Sequence, residues 1–249
     1  MIEARDLKKS FGTNRVLGGV SFRIEKGESV VIIGRSGSGK SVLLKLLIGL
    51  LRPDAGEVLI AGEDISAMDE RELIRVRRRF GMLFQSSALF DSMTVAENVA
   101  FAFRRDRSLT PKEIVERVAD VLEMVDLPGI EDKKPAELSG GMRKRVGLAR
   151  AIVYKPEIVL YDEPTTGLDP IVADSINQLI VRVRDRVRVT TVVVTHDMRS
   201  ARCLGQRIMM LHDKRIYATG TPDGFFQSAD PVLKQFIDGV SDPKEEVYF

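Results

Sequence analysis

The sequence predicts an α/β fold, a mostly parallel sheet flanked by helices, and three observations carry that expectation. Runs at Ser29 to Ile33, Ile158 to Tyr161 and Thr190 to Val194 are short, β-rich and continuously apolar, as suits strands covered on both faces. Each ends in a glycine-rich, acidic or polar cluster, where the carboxyl ends of such strands bind ligands. Finally, 249 residues, 44% hydrophobic and 30% charged, suffice for one large domain with room for a subdomain.

Taken in order, Ile2 to Glu28 and Gly56 to Ala61 read as short antiparallel strands with turns at Gly12 and Gly62, a small β subdomain. Met1 to Leu7 carries Glu3, Arg5 and Asp6 and lacks the apolar core of a signal peptide, so export by that route is not expected. Ser29 to Ile33 leads into a glycine-rich loop, and an apolar helical pattern begins at Ser41. The greasiest segment, Val42 to Leu51, is interrupted by Lys45 and falls far short of the ~20 apolar residues that cross a bilayer.

Residues 86–155 show helical patterns at Pro111 to Val125 and Gly140 to Val153 with little strand signal. They read as a helical subdomain inserted into a sheet domain spanning 1–239. Residues 240–249, with Asp242, Pro243, Lys244, Glu245 and Glu246, read as an extended tail.

A net charge of +2 from 38 basic and 36 acidic residues gives no reason to expect nucleic acid as a partner. Arg77 to Arg79 and Arg182 to Arg188 read as solvated helix faces, with phospholipid headgroups or a protein partner as the alternative. Cys203 is the only cysteine, which excludes an internal disulfide and a Cys-rich zinc site; packing is its expected role.

Gly34, Arg35, Ser36, Gly37, Ser38, Gly39, Lys40 and Ser41 match G-x-x-x-x-G-K-[ST] between a strand and a helix. Glycines let backbone N–H groups wrap around phosphate, and the helix offers its positive N-terminus. Lys40 adds a point charge and Ser41 can place its hydroxyl on Mg²⁺. The strand from Ile158 ends in Asp162 and Glu163, whose side chains point to opposite sides. Asp162 is therefore the natural outer-shell Mg²⁺ partner, and Glu163 a general base for water. Leu138, Ser139, Gly140, Gly141 and Met142 open a helix: Ser139 suits an N-cap, and the amides of Gly140 and Gly141 offer a second anion site. Simple capping is the competing reading.

The order of phosphate loop, Gln85, Leu138 to Gly141, Asp162-Glu163, Gly167-Leu168-Asp169 and His196 resembles the ATP-binding cassette ATPases over almost the entire chain. The resemblance implies a P-loop NTPase fold with a RecA-like sheet, and two cassettes facing head to tail with ATP between the phosphate loop of one and the Leu-Ser-Gly-Gly signature of the other. By the same resemblance, Lys40, Ser41 and Val42 bind the nucleotide and its Mg²⁺, while Gln85 links Mg²⁺ and water to the transport subunit. Glu163 is the expected base, and His196 steadies the water and contacts the γ-phosphate. Phe11 stacks on adenine beside Val16. Ser139, Gly140 and Gly141 meet the other subunit's ATP, and Asp169 lies on the seam. His212 reads as an ordinary turn residue. Met142 departs from the usual signature Gln, removing a side-chain amide but neither the Ser139 hydroxyl nor the helix amides.

Met82 to Val95, the Leu-Ser-Gly-Gly-Met signature and Gln235 to Gly239 are similar to the ATPases of the maintenance-of-lipid-asymmetry (Mla) system and of MCE-domain lipid transporters. That resemblance implies a homodimer placed peripherally on the cytoplasmic side of the inner membrane. It also implies permease partners, an MCE-domain protein and a tail that reaches the opposite cassette, a frayed terminus being the other account of 240–249. It leaves open whether a small regulatory subunit binds the helical region. Phe84, Leu89 and Phe90 offer apolar surface for a permease helix, or belong to the core. A cassette importing a polar small molecule shares every one of these chemical residues; a soluble cassette usually carries two copies or a coiled-coil insertion, and neither is visible.

Overall fold

In a computed structural model, which describes residues 1–104 and 109–240, backbone pairing sorts ten strands into two sheets. In chain order the strands are β1 (Ile2–Phe11), β2 (Asn14–Ile24), β3 (Ser29–Ile33), β4 (Ala55–Ile60), β5 (Glu63–Asp64), β6 (Phe80–Leu83), β7 (Ile158–Asp162), β8 (Thr190–Thr195), β9 (Arg207–His212) and β10 (Arg215–Gly220). The first sheet is antiparallel, in the order β2-β1-β4-β5, and the second runs β10-β9-β3-β8-β7-β6. All pairs in the second are parallel except β10 with β9. Every residue of β3, β7 and β8 is buried, which is why these strands lack alternation.

The helices are α1 (Lys40–Leu47), α2 (Glu70–Arg77), α3 (Val95–Ala100), α4 (Pro111–Met124), α5 (Gly140–Ile152), α6 (Pro170–Val187), α7 (Met198–Leu204), α8 (Pro222–Phe226) and α9 (Pro231–Asp238). Asp69 with Glu72, Thr94 with Glu97 and Thr110 with Glu113 form capping boxes that start α2, α3 and α4. Side chains alternate across the larger sheet into two apolar interiors. Val31, Ile33, Tyr161 and Val193 pack with α3 to α9, whereas Val30, Ile32, Leu160, Val192 and Val194 pack with α1, α2 and the antiparallel sheet. Among the described residues no helix is long and apolar enough to cross a membrane.

One strand went unread in the sequence, and one expectation changes. The strand β6 precedes Gln85 and pairs with β7, although its four residues gave no distinct signal beside the helical region. Arg78 is exposed as expected, but Arg77 and Arg79 are only partly so: Arg77 donates to the carbonyls of Ile48 and Gly49 and pairs with Glu70, and Arg79 makes a two-pronged pair with Glu157 at 2.9 and 3.1 Å. Their stems lie along the protein while the charges reach carbonyls at the end of α1 and carboxylates. The tail expected over 240–249 lies, beyond Val240, outside the described residues.

Candidate active site

The loop between β3 and α1 owes its path to glycine. Gly39 adopts φ +100° as the cap of α1, and a Cβ there would lie 2.8 Å from Val16 Cγ1. At Gly34 a Cβ would meet the Leu211 carbonyl oxygen at 2.6 Å and Ser38 Oγ at 2.8 Å. Lys40 turns its ammonium inward, donating to the carbonyls of Gly34 at 2.7 Å and Arg35 at 3.0 Å. Burial pushes its pKa down, opposed by the attraction of Glu163 and Asp162. Ser38 Oγ is buried with no hydrogen-bond partner, an orphan that a phosphate oxygen would satisfy.

The strand β7 delivers the two acids. Ser41 Oγ donates to Asp162 Oδ1 at 2.8 Å, and burial raises the Asp162 carboxyl pKa in spite of that bond. Glu163 then leaves the strand with φ +48°, a strained backbone of the kind that clusters at functional sites. Its Oε2 accepts from Thr166 Oγ1 at 3.1 Å and Thr195 Oγ1 at 3.2 Å, while Oε1 lies 3.0 Å from His196 Nδ1 and 3.8 Å from Lys40 Nζ. The carboxylate is buried, whereas the His196 ring remains about half exposed at the end of β8.

Phe11, Val16, Ser36, Gly37, Gly39, Lys40, Ser41, Val42, Gln85, Glu163 and His196 line one cavity of about 320 Å³. Ser38 opens into its neighbour of about 310 Å³, beside Arg35 and Leu211. A larger hollow of about 510 Å³ beside α4 and α6 has neither the phosphate loop nor Glu163 in its lining. An anion cradle, a buried cation and a carboxylate held by hydroxyls suit a nucleoside triphosphate and attack on its end.

Residues 17–166 match the family described as ABC transporter. The chain belongs to that family. Among relatives of this cassette, a probable ribonucleotide transport ATP-binding protein of Mycobacterium leprae is 44% identical over 96% of this chain and 69% of its own length. The intermembrane phospholipid transport system ATP-binding protein MlaF of Haemophilus influenzae is 40% identical over 97% of this chain and 92% of its own length. A solved dimeric ATP-binding cassette in a post-hydrolysis state, bound to ADP and Pi, superposes with a TM-score of 0.81 at 34% identity, over 89% of this chain and 99% of that one. The chain is thus an ATP-binding, ATP-hydrolysing cassette.

The remaining candidates do not line the cavity. Ser139 caps α5, its Oγ accepting from the Met142 amide at 3.2 Å, and Asp169 caps α6, accepting from Ile171 at 3.1 Å and Val172 at 3.0 Å. A Cβ on Gly141 would lie 2.8 Å from Val172 Cγ1, and one on Gly140 would lie 3.3 Å from Leu168 Cδ2. The signature glycines therefore also let the start of α5 approach Leu168 and the first turn of α6. His212 ends β9 and packs edge-on against Tyr217.

Sequence reasoning passed over Thr166, Thr195 and Lys144. The hydroxyls hold Glu163, and Lys144 donates from α5 to the carbonyls of Gln85 at 2.5 Å and Glu163 at 3.2 Å. A signal for Lys144 existed: with Gly147, Leu148 and Ala151 it repeats at the helical spacing of a buried stripe.

Proposed function

We propose that this cassette works as a homodimer powering phospholipid transport between membranes through an MCE-type system. It sits peripherally, in this reading, on the cytoplasmic side of the inner membrane against integral permease subunits, with an MCE-domain lipid-binding protein in the same assembly. The observation that carries the reading is the near full-length correspondence with a phospholipid-transport ATPase, 97% of this chain and 92% of that one. The surface after Gln85 supports it. A groove of about 370 Å³ that sets Ile48, Ile74, Phe84, Ala102 and Tyr154 beside Arg77, Arg78 and Arg150 suits an amphipathic helix. Phe90 and Phe101, both exposed, stack at 4.6 Å beside it.

In turnover, the loop amides and Lys40 hold phosphates, Phe11 stacks on adenine, and Val16 and Val42 flank the nucleotide. Ser41 and Gln85 would hold Mg²⁺, with Asp162 as its outer-shell partner behind Ser41, and the ion would neutralise charge on the phosphate oxygens. Among the described residues no cluster of three or more His, Cys, Asp or Glu is placed to hold a metal. A Mg²⁺ site of one carboxylate, a hydroxyl and substrate oxygens needs none. Glu163 takes the proton from water, and His196 steadies that water from the same carboxylate oxygen. Ser139, Gly140, Gly141 and Asp169 complete the site of the opposing subunit, so closure and hydrolysis are linked.

A second reading, import of a ribonucleotide, draws on the mycobacterial relative. Reconstituting the chain with the permease and partner proteins encoded beside it separates the two. ATP-dependent transfer of a fluorescent phospholipid between vesicles is the expected result. Hydrolysis stimulated by a ribonucleotide-binding partner, with no lipid moved, would overturn the lipid reading.

A further inference from the structure

We infer that Lys144 is a positioning residue that ties the backbone of the base Glu163 to that of Gln85 through the signature helix α5. Lys144 is only 5% exposed and, among the described residues, makes no ion pair. Its ammonium ends instead on two carbonyls, those of Gln85 and Glu163. Burying a charge is costly, and a Met or Leu would fill the same apolar stripe of α5 without that cost. What the charge touches therefore explains its place. Burial depresses the pKa of Lys144, while the nearby Glu163 and Asp162 carboxylates act to keep it protonated.

Both carbonyls belong to segments that need holding. Glu163 has a left-handed backbone at φ +48°, and among the described residues its carbonyl accepts from Lys144 and, at 3.3 Å, from the Thr166 amide. Beyond Gln85, Ser87 and Ala88 are also left-handed, at φ +61° and +47°. Arg150, further along α5, donates to their carbonyls at 2.6 and 2.7 Å. One helix thus begins at Ser139, grips the segment after Gln85 with Arg150, and reaches the backbone of the base with Lys144. A shift of α5 moves the Glu163 backbone directly, without passing through the bound nucleotide.

The test compares Lys144→Met with Lys144→Arg and Lys144→Gln in the full chain, by steady-state ATP hydrolysis and binding of a fluorescent ATP analogue. Loss of the donor should lower kcat about 10- to 100-fold, as expected for a misplaced base. Analogue binding should stay within about twofold of wild type, the split that separates positioning from binding. Arg and Gln keep N–H donors and should recover most of the turnover. Should the Met variant not fold, Lys144→Ala takes its place. Wild-type kcat in the donor-free variant, analogue affinity falling in step with kcat, or no recovery by Arg and Gln would each overturn the inference. It rests on Glu163 as the base; wild-type turnover by Glu163→Gln overturns that assignment instead.

Discussion

His196 Nδ1 and Lys40 Nζ converge on the same oxygen of Glu163, at 3.0 and 3.8 Å, while two threonine hydroxyls occupy the other. A carboxylate so arranged is fixed in direction before substrate arrives, which is what a base for a single water requires. Glu163→Gln keeps the shape and removes the proton acceptor. Turnover should fall about 10²- to 10⁴-fold, the usual contribution of general base catalysis. ATP should still bind, and the variant should elute as an ATP-dependent dimer in gel filtration. Normal hydrolysis by this variant would remove Glu163 from the chemistry.

Asp162 makes a prediction about pH. Burial raises its carboxyl pKa in the folded chain above the unfolded value. The stability it contributes is therefore full below the ordinary carboxylate range and is lost as pH rises through the raised value. At neutral pH the ionised group weighs against the nucleotide-free fold. Asp162→Asn should melt higher than wild type at pH 7, by about 2–4 °C for each kcal/mol relieved. The gap should close as the pH falls to about 4. Hydrolysis should be lost in the same variant. Thermal melts across pH, without nucleotide, check the sign; a lower or pH-independent Tm would refute it.

Gly81 tests the seam between β6 and α5. A Cβ there would overlap the Ala151 carbonyl oxygen and sit 3.2 Å from Pro156 Cγ. Gly81→Ala should force α5 away from the sheet and cost about 1–3 kcal/mol, the usual range for overpacking. Urea unfolding should show it as a lower midpoint with an unchanged slope. Because α5 carries Lys144 and Arg150, ATP turnover of the folded fraction should fall as well.

The central strands were legible because burial on both faces leaves an unbroken apolar run, as at Val192 to Val194. The phosphate loop was legible because its glycines and lysine are adjacent in sequence. What escaped notice was held together across the fold. Thr195 reaches Glu163 over 32 positions and Lys144 reaches Gln85 over 59, whereas Thr166 is a local contact that only the turn after Glu163 reveals. Short β6 hid for another reason: four buried residues between a basic cluster and a glutamine leave too little pattern to read.

Neighbouring residues of one strand, Val192 and Val193 for instance, face separate interiors of the larger sheet. The phosphate-loop helix α1 packs in one, and the signature helix α5 in the other. The phosphate loop and the signature helix thus rest on different sets of packed side chains. A packing change behind α5 can therefore shift the signature helix while the side chains behind the phosphate loop stay in place.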